Sequence, residues 1–577
     1  MSVLLGIISG FVAPALTHLI GFFTNLFFYG RLSTSFTSPA GNHLGLLVII
    51  VPVIGGLIVG LMARFGSKAI RGHGIPEAME QILENDSRIP ARITFLKPIS
   101  AAISIGTGGP FGAEGPIIAT GGAIGSVLGQ FLSTTVAERK TLLAAGAAAG
   151  MAAIFGSPIS AVLLAIELLL FEFRARSFVP VALAAATAAG IRIHLEGGAP
   201  IFPMPAFGPV SLGSLCVYAL IGIAVGVLAV GVTRAVYWIE DMFEHLPIHW
   251  MWWPALGGIA VGVIGYFAPR TLGVGYDNIS QIISNQLPLR IIAFLTVMKF
   301  ISWSISLGSG TSGGTLAPLL TIGGGAGSLL GSLFAWLAPI AAIDIRVAAL
   351  VGMASMFAGA SRALLTSIVF AFETTLQPNS LLPVMAGSAL SFLAARLLMQ
   401  NSIMTEKIAR RGLRIPEDYD PDTFSHITVA EIMDSNLHTL PAIGKLSELA
   451  DRIARHDPAV SAYQAWPLVD EAGDLSGILT RGDLLAAIGK SGAREMTLIE
   501  AGTSNLVTAH ADETIHDAVA RMLAHDVGRL PVVSRDDPKK LIGYISRTNL
   551  LSTRLKKHRQ ENIREDGWLR GATRARA

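Results

Sequence analysis

Cysteine is all but missing from this chain. Cys216 stands alone among 577 residues, which excludes an intrachain disulfide and any thiolate metal cluster. Charge is scarce as well. Only 14% of the residues are charged, against about 25% in an average soluble domain, so most of the chain is expected to lie in lipid. No Ser/His/Asp constellation, metal-ligand spacing or phosphate-binding loop is present, which argues against an enzyme. Nothing in the sequence points to nucleic acid.

Apolar length takes the place of charge. Leu44–Ala63 is free of charged residues, enough for a spanning helix of about 20 residues. Similar runs recur at Thr141–Ile166, Leu212–Thr233 and Phe300–Ile343. Met1–Gly30 is apolar without a basic leading segment and reads as a membrane helix, not a cleaved signal. The 62 glycines fit closely packed and broken membrane helices. Near Asn401 the composition changes and charges become frequent. Arg410, Arg411 and Arg414, followed by Pro416 and Pro421, mark a linker expected on the cytoplasmic side, as do Arg64, Lys68 and Arg71. The basic end, from Arg554 to Ala577, is expected to be disordered.

One stretch organises the apolar part. Gly106–Pro116 gathers glycines, two prolines and the lone carboxylate Glu114 directly before the apolar run Ile117–Leu132. Pro116 suits a first helical turn, and the free N–H groups at such a start attract anions. Glu114 is itself an anion tethered there, able to compete for those donors. The stretch has an echo: Gly112–Pro116 matches Gly314–Pro318 at an offset of 202, and Gly146–Glu167 matches Gly352–Glu373 at an offset of 206. Repeated Gly/Pro-broken segments place a binding site at mid-membrane in transporters. Past residue 424 a second repeat appears, Gly477–Leu484 against Gly543–Leu550, offset 66. Each copy follows a short apolar strand that contains a proline, which predicts two α/β units packed as a pair.

Gly72-His73-Gly74-Ile75-Pro76-Glu77, Gly112–Pro116 and Gly314–Pro318 resemble, in order and spacing, the three anion-pathway signatures of the CLC chloride channel and transporter family. The C-terminal pair resembles tandem CBS domains. The resemblance implies a mainly α, multi-pass membrane protein of two inverted repeats with broken helices, residues 1–405. A linker at 406–424 would lead to cytoplasmic α/β CBS domains at 425–490 and 491–555, then the tail at 556–577. It further implies a homodimer in the cell membrane that passes chloride or another small anion and needs no cofactor. Glu114 would gate each pathway, with anion contacts at His73, Gly74, Gly112, Glu114, Gly115, Thr315 and Leu316.

Three positions depart from the family pattern. His73 replaces a common serine; it either sits on the anion path, where histidine can become cationic near neutral pH, or faces the inner mouth. Met404 falls near a pore-lining tyrosine and is either pore-lining or ordinary packing. Leu168 occupies the place of a proton-carrying glutamate, which favours an uncoupled pathway, with Glu167 beside it as candidate relay or helix-end residue. A proton-coupled antiporter is the alternative. In the CBS pair, Thr480 with Asp483 and Ser546 with Asn549 match adenine-nucleotide contacts, against a purely structural pairing. A CBS-containing divalent-cation transporter would need clustered intramembrane carboxylates, which the sequence lacks.

Overall fold

A computed structural model describes residues 1–413, 427–461, 463–490 and 492–562. They form two compact units, one ending by Leu413 and the other beginning at Ile427. Of the expected linker, Arg414, Pro416 and Pro421 lie outside the described residues. The last helix runs from Arg547 to Asn562, so residues 556–562 of the expected disordered tail are helical. The remainder of that tail is also outside the described residues.

Among the described residues, eight helices are long and apolar enough to cross a membrane, beginning with Ser2–Tyr29. Shorter apolar helices lie between them, including Ile93–Gly106, Pro158–Leu170, Ile345–Ser361 and Leu364–Thr375. Glycine sets how closely they approach. Gly121 and Gly146 face each other across the pair Glu114–Phe131 and Val136–Phe155, each against the other's carbonyl. The second repeat packs Gly323 against Gly352 in the same way. An added Cβ at these places would strike backbone, so no other residue fits.

The repeats also cap one another. Glu167 accepts from the backbone N–H groups of Leu365 and Thr366, both at 2.9 Å, and from the Thr366 hydroxyl at 2.5 Å. Those amides open the helix Leu364–Thr375. Glu373, near that helix's end, accepts from Ile159 and Ser160 N–H at 3.0 and 2.8 Å, closing the start of Pro158–Ala165. Each carboxylate satisfies donors that a helix start leaves open. Glu167 is thus a cap with three donors on it, and Leu168 is buried in the core.

The second unit holds two three-stranded sheets. Leu440–Pro441 pairs parallel with Ala465–Val469, which pairs antiparallel with Leu475–Thr480. Ala509–His510, Arg529–Val533 and Leu541–Ser546 repeat that pattern. The halves exchange their first short helices. Val429 of Val429–Ile432 is buried in the core of the second half, and Leu498 of Leu498–Ala501 in the core of the first. Neither half has a complete core alone, so the two form one folding unit.

The reciprocal caps carry a prediction. Glu373→Ala leaves two helix-start amides without an acceptor, which should destabilise the membrane unit by about 2 kcal/mol. Thermal unfolding in detergent measures this; an unchanged midpoint would show that the caps carry no energy.

Candidate anion pathway

The three signature segments meet through backbone. Gly112 and Gly314 exchange hydrogen bonds, Gly112 N–H to Gly314 O at 3.1 Å and Gly314 N–H to Gly112 O at 2.9 Å. Gly72 N–H donates to Thr311 O at 2.9 Å, tying in the first segment. Three helices start from this junction: Ile75–Glu84, Glu114–Phe131 and Leu316–Leu337. A Cβ at Gly314 would lie 2.6 Å from Gly112 O and 2.9 Å from Gly115 N. Gly115 in turn lies against the His73 carbonyl, and Gly74 against Gly115. All seven residues expected to contact an anion are therefore gathered in one buried place.

They do not play equal parts. Gly74 N–H donates to Glu77 Oε2 at 2.7 Å, and Gly112 N–H is taken by Gly314. Neither amide is left for an anion. The first-turn amides of the other two helices, at Glu114, Gly115 and Leu316, belong to the group that has no intrahelical acceptor. Glu114 is only 1% exposed in their midst. Its Oε1 accepts from the Tyr276 hydroxyl at 2.8 Å. Its Oε2 is buried and accepts no well-formed hydrogen bond among the described residues. The Ala317 amide and the Lys299 ammonium act on the same carboxylate.

A cavity of about 310 Å³ opens beside this junction, lined in part by His73, Arg71, Tyr237, Ile403, Lys407 and Arg411. Five of its lining residues are basic, counting Lys68, against the carboxylates Glu240 and Glu244. His73 is 5% exposed, and its Nδ1 is buried without a hydrogen-bond partner. Its place is thus at the cavity wall, next to the junction. Met404 is fully buried in the main core, while neighbouring Ile403 lines the cavity. The hydroxyl near this point belongs to Tyr237, which donates to Ile403 O at 2.8 Å.

The description "Voltage gated chloride channel" matches residues 54–396, and "CBS domain" matches 429–490 and 499–556. The chain belongs to the voltage gated chloride channel family. Chloride channel protein CLC-f of Arabidopsis thaliana is 26% identical over 86% of this chain and 72% of its own length. The H(+)/Cl(-) exchange transporter ClcA of Vibrio campbellii is 29% identical over 65% of this chain and 82% of its own. Among solved structures, a slow cyanobacterial Cl-/H+ antiporter superposes with a TM-score of 0.64 at 24% identity, covering 71% of this chain and 96% of that one. A eukaryotic CLC transporter gives a TM-score of 0.62 at 22% identity over 95% and 97%. These structural likenesses concern the fold.

Against this family background, the residues that sequence reasoning passed over include two buried cations. Lys97 Nζ donates to Ile70 O and Gly72 O at 2.9 and 2.8 Å. Lys299 Nζ donates to Thr271 O and Gly273 O at 3.0 and 2.9 Å. Each lysine clamps a loop that turns through a positive-φ glycine, Gly74 or Gly275, into a short helix. A signal was available: both are lone cations in apolar runs, 202 residues apart. Glu77, which ends the first signature segment, pairs with Lys407 at 2.9 Å, a partner that the sequence does not mark, and Tyr276 stands where that segment has Ile75.

In the CBS pair, Thr480 N–H and Oγ1 donate to Asp483 Oδ2 at 2.9 and 2.7 Å, and Asp483 N–H returns to Thr480 Oγ1 at 3.2 Å. This is a capping box at the start of Arg481–Ile488. Asp483 Oδ1 takes no part in it. Ser546 N–H and Oγ donate to Asn549 Oδ1 at 3.0 and 2.5 Å, while Asn549 Nδ2 donates to Ile432 O at 3.0 Å. Both ends of the Asn549 amide are thus used internally.

Proposed function

We propose that the membrane unit passes chloride or another small anion between the starts of Glu114–Phe131 and Leu316–Leu337, and that Glu114 is its gate. The observation that supports this most is a buried carboxylate seated among helix-start amides. Those amides stabilise whichever negative charge occupies the place. An ionised Glu114 and a permeating anion therefore exclude one another, and protonation or displacement of Glu114 opens the way. Passage needs no covalent step: amide dipoles replace hydration, and the basic cavity beside His73 gathers anions from solution. His73 is the nearest side chain to meet an anion leaving that cavity for the junction. Each copy of the implied homodimer would carry its own pathway, and native mass spectrometry reads the copy number.

Coupling to protons is not part of this reading, because Leu168 cannot carry a proton and Glu167 is held as a cap. A divalent-cation transporter is disfavoured by the donor set, since among the described residues no three His, Cys, Asp or Glu are placed to hold a metal ion. The CBS pair is read as cytoplasmic, after the arginine-rich linker, with one adenine-nucleotide site. Asp483, with one oxygen outside its capping box, would accept ribose hydroxyls, whereas the spent amide of Asn549 would not.

Three outcomes follow. Flux of labelled chloride from liposomes should rise as external pH falls, and Glu114→Gln should remove that dependence while keeping flux at or above the wild-type level. A pH-insensitive wild type would remove the gate, and uphill proton pumping would restore the coupled alternative. In the same vesicles, His73→Ser should shift selectivity towards chloride by several-fold, the scale of one lost polar contact; identical selectivity would take His73 off the path. Calorimetry on the full chain should detect ATP or AMP with a Kd on the order of micromolar to millimolar, lost in Asp483→Ala. No heat from any adenine nucleotide would leave the pair purely structural.

A further inference from the structure

We infer that Tyr276 is the latch of the gate: its hydroxyl, held as a fixed donor, sets how firmly the Glu114 carboxylate competes with an anion. This rests on the reading of Glu114 as gate.

The hydrogen bond is direct, Tyr276 Oη to Glu114 Oε1 at 2.8 Å. Its donor has little freedom. Tyr276 is the first residue of the helix Tyr276–Ile283, entered through Gly275 at φ 80°. Lys299 clamps the preceding loop through Thr271 O and Gly273 O. Gly273 N–H donates to Gly108 O at 3.2 Å, joining that loop to the segment that carries Glu114. The tyrosine ring packs edge-on to Phe202 and Phe155, centroids 5.9 and 6.0 Å away, and Phe155 is braced by Phe370 at 4.8 Å. A ring caged in this way cannot follow the carboxylate if it swings out. Departure of Glu114 therefore breaks the bond instead of carrying it along.

Comparison of the two repeats separates this role from scaffolding. The lysine clamp and the positive-φ glycine occur in both copies, at Lys97 and Gly74 and at Lys299 and Gly275. The residue after the glycine differs: Ile75 in the first copy and Tyr276 in the second. The fold thus forms the loop without a hydroxyl, and the hydroxyl stands only in the copy that faces the carboxylate. Of the other charged groups nearby, Lys299 also acts on Glu114, whereas His73 answers to Glu77, Lys97 and Lys407. Tyr276 is accordingly a positioning residue; it holds the gate without needing to touch the anion.

A hydrogen bond to an ionised group is worth enough to shift a competition about tenfold. Chloride flux should be measured against chloride concentration in liposomes with the full chain, for wild type, Tyr276→Phe, Glu114→Ala and the double variant. Tyr276→Phe should lower the half-saturating chloride concentration about tenfold while leaving maximal flux near wild type, and should have no such effect in the Glu114→Ala background. A purely structural role would lower maximal flux in both backgrounds. An unchanged half-saturation, or an equal shift in both, would overturn the latch. Should Tyr276→Phe fail to assemble, a fluorinated tyrosine at position 276 decides: a stronger donor should raise half-saturating chloride, and no change would overturn the proposal. If Glu114→Ala itself leaves the chloride and pH dependence of wild type intact, the gate reading fails and the latch with it. If Glu114→Ala acts and Tyr276→Phe is silent, only the latch fails.

Discussion

Two backbones with no side chain between them hold the pathway together. Gly112 and Gly314 exchange hydrogen bonds, and a Cβ would strike the Gly112 carbonyl if added to Gly314 and the Glu114 carboxylate if added to Gly112. That contact brings the starts of Glu114–Phe131 and Leu316–Leu337 side by side, their unpaired amides converging on one volume. A polar place of this kind inside lipid is costly unless a counter-charge fills it. Glu114 supplies that charge in the structure, and an anion would supply it in passage. The proposed gating by a tethered carboxylate would then follow from the packing.

The surroundings are built twice. Lys97 and Lys299 each hold a pair of loop carbonyls, and Glu167 and Glu373 each cap the other repeat's helix. These symmetric parts serve the frame. The asymmetric positions are those of the proposed path: Glu114 answers to Leu316, His73 to Val274, and Tyr276 to Ile75. The repeated parts form the scaffold, and the proposed function rests on the departures from it. Glu167 belongs to that frame as a cap, since its partner Glu373 does the same work.

Much of this was legible in the sequence because it is local. Glycine and proline at a helix start, a lone carboxylate and a recurring offset can all be read along the chain, and they located the junction and Glu114. Contacts decided across the fold could not be read. Tyr276 lies 162 residues from its partner, and the glycines that its segment shares with the first repeat do not mark that contact. Gly74 and Gly112 looked like free donors until Glu77 and Gly314 were seen to accept from them. For Met404 the sequence left pore lining and ordinary packing open, and the fold puts it in the core, with Ile403 beside the cavity. In the CBS pair the repeat gave two α/β halves, but the exchange of Val429 and Leu498 between cores depends on packing alone.

The central claim is that one volume is shared by the Glu114 carboxylate and the permeating anion. Anomalous diffraction from crystals grown in bromide tests it most directly, comparing wild type with Glu114→Gln at neutral pH. Bromide should occupy the place of the wild-type carboxylate, next to the amides at Gly115 and Leu316, in the variant, and be weak or missing there in the wild type. Equal bromide in both proteins, or none between those helix starts in either, would contradict the account.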